Sequence, residues 1–148
     1  SNLVENALPK IRWAGRLQKI ESGKLTKVIY KYDSIFLDGF HNTDGVKVFI
    51  NNLKGKNNFL ICSFLINKNY KNILKLLEPY FKKIFVTPME EENSIQVVNV
   101  NKTNKINTSS GLLKSIDDLN RVATSNSTIY FGGSLYFIGE VLKFNKKK

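Results

Sequence analysis

Asp38, Gly39, His41 and Asn42 stand within a few positions of one another, and side chains of these types can hold a nucleotide or a carboxylate. Asp38 could accept hydrogen bonds from a ribose, or it could cap a helix that follows it. His41 is the only histidine in the chain. It can donate to a phosphate oxygen or orient a substrate carboxylate, and it can equally be a hydrogen-bonded loop residue. With no second His and a single Cys, Cys62, no zinc-ligand set can be assembled. A second group is Gly132-Gly133-Ser134, where paired glycines either let the backbone approach a ligand or only make a tight strand-to-helix turn. Thr87 is a third candidate position. The familiar nucleotide motifs are absent. Gly132, Gly133 and Gly139 lack the G-x-G-x-x-G spacing. Gly23-Lys24 is followed by Leu25 and preceded five residues earlier by Gln18, so there is no phosphate loop. No Ser-His-Asp order or paired carboxylates stand out either.

These residues are placed by the elements around them. Residues 12 to 32 read as two extended runs joined by a turn at Ser22-Gly23-Lys24, with Leu17, Ile20, Val28, Tyr30 and Tyr32 as the apolar positions. Ile35-Phe36-Leu37 is a short continuous apolar run, expected as a buried strand. Val46, Phe49, Ile50 and Leu53 follow at i, i+3, i+4, i+7, the stripe of a helix that Thr43 or Asn42 would cap and Gly55 would end. The alternation continues with a strand over 59 to 66 and a helix carrying Ile73, Leu74, Leu77, Tyr80 and Phe81. Ile84-Phe85-Val86 is a strand stopped by Pro88, residues 95 to 100 read as one more strand, and 101 to 108 read as polar loop. Leu112, Leu113, Ile116 and Leu119 mark a third helix, 128 to 131 a strand, and Leu135, Ile138, Val141 and Leu142 a last helix.

Strands alternating with helices imply βαβ crossovers, so the expected fold is a Rossmann-like three-layer α/β domain with a mostly parallel sheet. In such a sheet ligands bind beyond the carboxyl ends of the strands. Both the 38–42 group and the 132–134 group fall there and lead straight into a helix. The free N–H groups and positive end of that helix favour a phosphate or carboxylate.

Composition sets the outer bounds. The chain has 148 residues, 23 basic against 12 acidic, and a net charge of +11. Of the basic residues only Arg12, Arg16 and Arg121 are arginine, and the lysines are scattered apart from a C-terminal cluster at Lys143, Lys146, Lys147 and Lys148. Sequence-specific nucleic-acid readers favour the bidentate fork of Arg, so a solvated basic surface is expected rather than nucleic-acid binding. The lone cysteine removes a disulfide framework and points to a reducing, cytoplasmic setting. No apolar run reaches the roughly 18 residues of a membrane span, and no signal-peptide pattern opens the chain. The expectation is therefore neither a secreted, a membrane nor a zinc-finger protein. The chain begins Ser1-Asn2, which fits a cleaved tag and an internal domain start equally well, and its only Met is Met89.

Three blocks of sequence resemble a known family. Arg12-Trp13-Ala14-Gly15-Arg16-Leu17, Phe36-Leu37-Asp38-Gly39-Phe40-His41-Asn42 and the run from Gly132 to Val141 (GGSLYFIGEV) are similar to W-P-G-R-L, L-D-G-A-H-N and T-G-S-L-Y-L-V-G-E-V. These are patterns of the C-terminal domain of folylpolyglutamate synthase/dihydrofolate synthase, in the Mur ligase superfamily. The blocks come in the family's order and span nearly the whole chain. The departures are Ala14 for Pro, Phe40 for Ala and Gly132 for Thr, expected at most to loosen a turn or a pocket wall.

The resemblance implies that residues 1–148 are one domain of an ATP-dependent amide ligase. The larger N-terminal domain, with the phosphate loop, the Mg²⁺ ligands and most of the folate pocket, would be a separate partner. ATP would phosphorylate the carboxylate of a folate or pteroate, and the amino group of L-glutamate would attack the acyl phosphate. By similarity, Arg16 and His41 are the catalytic candidates, and Arg16, Asp38, His41 and Asn42 would contact ATP. His41, Ser134 and Tyr136 would place glutamate. No metal ligand is expected in this chain, the protein is expected to be a monomer without nucleic-acid or membrane partners, and the isolated chain is expected to be inactive. The competing readings are another Mur-type ligase domain, of which a murein-peptide ligase is nearest, a non-catalytic binding module, and a basic nucleic-acid-binding domain.

Overall fold

Short apolar runs bounded by turn residues become the strands of one sheet in the computed structural model, which describes residues 17–40 and 42–148. The strands are β1 (Gln18–Lys19), β2 (Ser34–Asp38), β3 (Asn58–Ser63), β4 (Lys83–Val86), β5 (Ile106–Thr108) and β6 (Thr128–Gly133). Their order is β1-β2-β6-β3-β4-β5. Only β1 runs antiparallel to its neighbour; β2, β6, β3, β4 and β5 are parallel. The helices are α1 (Leu25–Val28), α2 (Thr43–Asn51), α3 (Tyr70–Leu77), α4 (Leu112–Asn120) and α5 (Leu135–Asn145).

Successive strand side chains point to opposite faces, so each central strand feeds two cores. Ile35 and Leu37, Phe59 and Ile61, and Ile129 and Phe131 join Leu25 of α1, Ile116 and Leu119 of α4, and Phe137, Ile138 and Val141 of α5. Phe36, Leu60, Cys62 and Tyr130 join Val46 and Phe49 of α2 and Ile73, Leu74 and Leu77 of α3. Helices on both faces of a mostly parallel sheet make the expected three-layer α/β arrangement. Because β3 and β6 are covered on both sides, every residue of both is buried, which explains runs with no polar alternation. Cys62 lies in this interior, and its burial pushes the thiol well above its ordinary range.

Several local expectations are corrected. Val28, read as extended, ends the short helix α1. The 59–66 strand stops at Ser63, where its partner β6 ends at Gly133, and Leu65 makes an isolated antiparallel bridge to Ser94. Helix α2 ends at Asn51, ahead of the expected Gly55. The 95–100 stretch is not a strand: Val97–Asn99 is a 3-10 turn and Val98 is exposed, while Ile95 and Val100 plug the core. The outer strand instead comes from the polar stretch, at Ile106–Thr108. An edge strand with one covered face needs few apolar residues, and only Ile106 of β5 is fully buried. No helix among the described residues is long and apolar enough to cross a membrane.

Candidate functional site

The carboxyl ends of β2 and β6 lie side by side, with Asp38 in register with Gly132. Asp38 is 1% exposed at the end of a strand whose interior is apolar. Four residues later the backbone at Asn42 is extended and its side-chain oxygen accepts the Gly45 N–H at 2.7 Å. This fixes the start of α2, leaving the amide NH₂ of Asn42 as its donor.

On the other sheet face, Ser134 does the same for α5. Its hydroxyl oxygen accepts the Tyr136 N–H at 3.2 Å, and its own N–H donates to the Ser63 carbonyl at 2.9 Å. The Ser134 hydroxyl keeps its hydrogen for an acceptor. Tyr136, partly buried, packs its ring against the core beneath α5. Two helices therefore begin at one sheet edge, from adjacent strands and on opposite faces. Their N-terminal N–H groups converge on the same side of the molecule, where negative charge is favoured.

The glycine pair is explained by packing. A Cβ on Gly132 would run into the ring of Phe40, and one on Gly133 would meet the Ser63 carbonyl oxygen. Gly133 also holds φ near +114°, a region that favours glycine. The departures Phe40 and Gly132 thus do not loosen a pocket wall. One aromatic ring, fully buried, occupies the room that the missing side chain leaves.

Ser63 was not legible as a site residue. Its hydroxyl is buried at the carboxyl end of β3 without a hydrogen-bond partner among the described residues. Its strand parity matches Phe59 and Ile61, toward the α5 face. The signal available in the sequence was a polar residue ending a six-residue buried run. Thr87, by contrast, uses its hydroxyl on the Pro88 carbonyl of its own loop at 3.2 Å. Arg16 and His41 lie outside the described residues.

Two other carboxylates are perturbed. Glu140, half-buried on α5, has its pKa raised first by burial and further by the charge of Glu90, although its Oε1 accepts the Glu90 N–H at 2.7 Å. Burial of Asp118 acts upward as well. It is outweighed by the Ser109 hydroxyl at 2.7 Å and by Lys114 and Arg121, so that pKa is lowered. Among the described residues no three His, Cys, Asp or Glu side chains gather as a metal site.

A mostly parallel α/β sheet with polar groups at its carboxyl edge is an architecture in which ligands bind beyond the strand ends. No family model matches the sequence. Among curated proteins, the dihydrofolate synthase/folylpolyglutamate synthase of Bacillus subtilis (strain 168) is 24% identical over 147 residues, covering 95% of this chain and 32% of that protein. Among solved structures, Mycobacterium tuberculosis folylpolyglutamate synthase complexed with ADP matches with a TM-score of 0.68 at 18% identity, over 78% of this chain and 30% of that one. The bifunctional folylpolyglutamate synthase/dihydrofolate synthase from Yersinia pestis, complexed with AMPPNP and Mn ion, matches at 0.64 and 15% identity, over 85% of this chain and 32% of that one. The chain is similar in sequence to part of the Bacillus subtilis protein and shares the fold of part of the Mycobacterium tuberculosis one. It spans about a third of the length of the relatives it matches.

Proposed function

We propose that the chain is the C-terminal domain of an ATP-dependent ligase that adds L-glutamate to dihydropteroate or to folate through an acyl phosphate. The observation that carries this reading is the convergence at one sheet edge of Asp38 and Ser134, from sequence blocks almost a hundred positions apart. Relatives crystallised with ADP and with AMPPNP and Mn support the nucleotide side of the reading.

In this reading a carboxylate oxygen of the folate substrate attacks the γ-phosphorus of ATP, and ADP leaves. The glutamate nitrogen then attacks the acyl carbon, an amide bond forms, phosphate departs and the nitrogen loses a proton. Such transfers are accelerated chiefly by positioning and by cations and donors around the moving phosphoryl group. Arg16 supplies a positive charge to the phosphates, and Asp38 accepts from the ribose. His41 and the Asn42 amide donate to the nucleotide. Ser134, with the first turn of α5 and Tyr136, receives the glutamate, where His41 also contributes. Mg²⁺, held by the N-terminal domain, shields phosphate charge when bound. The setting is cytoplasmic, where the free Cys62 stays reduced.

The test is ADP release with dihydropteroate, L-glutamate and Mg²⁺. The chain alone is expected to show no turnover, and mixing or fusing it with its N-terminal domain is expected to give turnover. In that assembly Ser134→Ala should raise the KM for glutamate, by about tenfold for one lost charge-assisted hydrogen bond. Turnover by the isolated chain would refute the partner-domain reading; no turnover by the assembly would refute the ligase.

A further inference from the structure

Four neighbouring strands end in hydroxyl side chains at the carboxyl edge of the sheet. In the order β6-β3-β4-β5 these are Ser134, one residue past β6, Ser63, the last of β3, Thr87, one past β4, and Ser109, one past β5. None is more than 5% exposed. Three of the hydroxyls are used locally. Ser109 donates to the Asp118 carboxylate at 2.7 Å, Thr87 donates to the Pro88 carbonyl at 3.2 Å, and Ser134 accepts the Tyr136 N–H at 3.2 Å. The Ser63 hydroxyl, between two of them, has no partner among the described residues. A buried hydroxyl in that state forfeits its bonds to water and gains none in exchange, so few persist without a use.

Its position points to the use. Ser63 shares the strand parity of Phe59 and Ile61, so its side chain leaves the sheet on the face that α5 covers. It is in register with Gly133, the residue before the Ser134 cap, and its carbonyl accepts the Ser134 N–H at 2.9 Å. The Ser63 backbone therefore lies one strand spacing, about 5 Å, from the point where α5 leaves β6. At that point this eleven-residue helix has donors to spare. Its Ile138 N–H reaches the Ser134 carbonyl at 3.0 Å and its Tyr136 N–H the Ser134 hydroxyl, while the Leu135 and Phe137 N–H groups have no acceptor among the described residues. The Asp38 carboxylate has the parity of Phe36 and belongs to the opposite layer, so it does not face these donors.

Helix N–H groups without an acceptor and a neighbouring hydroxyl without a partner lack the same thing, an anionic oxygen between them. We infer that Ser63 is a further binding residue at this edge: its hydroxyl donates to a carboxylate of the incoming amino acid, whose oxygens also take the Leu135 and Phe137 N–H groups and the Ser134 hydroxyl. The choice of an amino-acid carboxylate rests on the ligase reading. No hydrogen bond holds the Ser63 side chain in one rotamer, so a turn about χ1 aims the hydroxyl at a ligand oxygen without moving the strand.

A hydroxyl kept for a ligand and one kept for the fold respond differently to removal. The 148-residue chain and its Ser63→Ala variant are titrated with sodium L-glutamate, followed through backbone amide NMR shifts, and both are unfolded in guanidinium. Shifts at Ser134, Leu135 and Phe137 are expected to saturate. Ser63→Ala should bind about tenfold more weakly while its unfolding midpoint stays the same or rises. Ser63→Cys fills the same space with a weak donor and should bind as poorly, which separates the lost donor from a cavity. Sodium phosphate at matched ionic strength should bind at least about tenfold more weakly than glutamate, which separates an amino-acid carboxylate from a phosphate. A lowered midpoint in Ser63→Ala, undiminished glutamate affinity in either variant, phosphate binding as tight as glutamate, or no saturable shifts at 134–137 would each overturn the assignment. These readouts involve no turnover. A failure of the ligase assay alone leaves the binding result standing, and a failure of binding alone leaves the ligase standing.

Discussion

Phe40 and Gly132 stand where the related pattern has Ala and Thr, and the structure makes the two departures one event. The Phe40 ring lies where a side chain at 132 would be, stacked against Phe49 with ring centroids 4.7 Å apart. Gly132→Thr alone should force the ring aside and cost about 1–3 kcal/mol. Phe40→Ala alone should leave a cavity and cost about 3–5 kcal/mol. The double variant restores the complementary pair, so its cost should fall short of the sum by about 1–3 kcal/mol. Guanidinium unfolding of the four proteins measures this, and simple additivity would disprove the coupling. A sequence can show that both residues differ from a pattern. It cannot show that one fills the vacancy left by the other, because the contact joins the loop after β2 to strand β6, far apart in the chain. Ser63 is a related case: its place at the end of an apolar run is the one mark it carries in sequence, and its burial at the sheet edge depends on β6, far along the chain.

At the scale of elements, local signals worked where burial demanded a pattern. Helix α2 was visible in the spacing of Val46, Phe49 and Ile50, and its cap in Asn42, because one buried stripe and one orphan N–H dictate those residues. Strand β5 was not visible. Its pairing to β4 is satisfied by backbone groups, so a polar stretch could serve, and the more apolar run at 95–100 was needed as a plug. Asn42 has two separable roles. Asn42→Ala should cost about 1 kcal/mol of stability through the lost cap. Asn42→Asp keeps an oxygen acceptor and adds favourable charge at the helix start, so stability should be nearly unchanged. Its new negative charge would oppose phosphate, so ADP affinity in the assembled enzyme should fall. Comparing melting midpoint with nucleotide affinity in both variants separates the cap from the ligand contact, and a loss of affinity that merely follows stability would remove Asn42 from the nucleotide site.

For the whole molecule, the fold class was legible because alternating helix and strand patterns permit few topologies. That the blocks 36–42 and 132–141 start at strand ends was legible too, and the sheet order makes those strands, β2 and β6, neighbours. That Ser63 joins the hydroxyls at the ends of β4, β5 and β6 in one row was not, since those strands come from separate stretches of the chain. Cys62, sealed in β3 between β6 and β4, gives the intact fold a built-in clock. A disulfide reagent can reach that sulfur only when the layer of α2 and α3 lifts from the sheet. Its consumption should therefore run on the order of 10³-fold or more slower than in denaturant for a domain of ordinary stability. With one thiol per molecule, each modified protein records a single opening, so the colour change keeps time for the centre of the sheet without any engineered label.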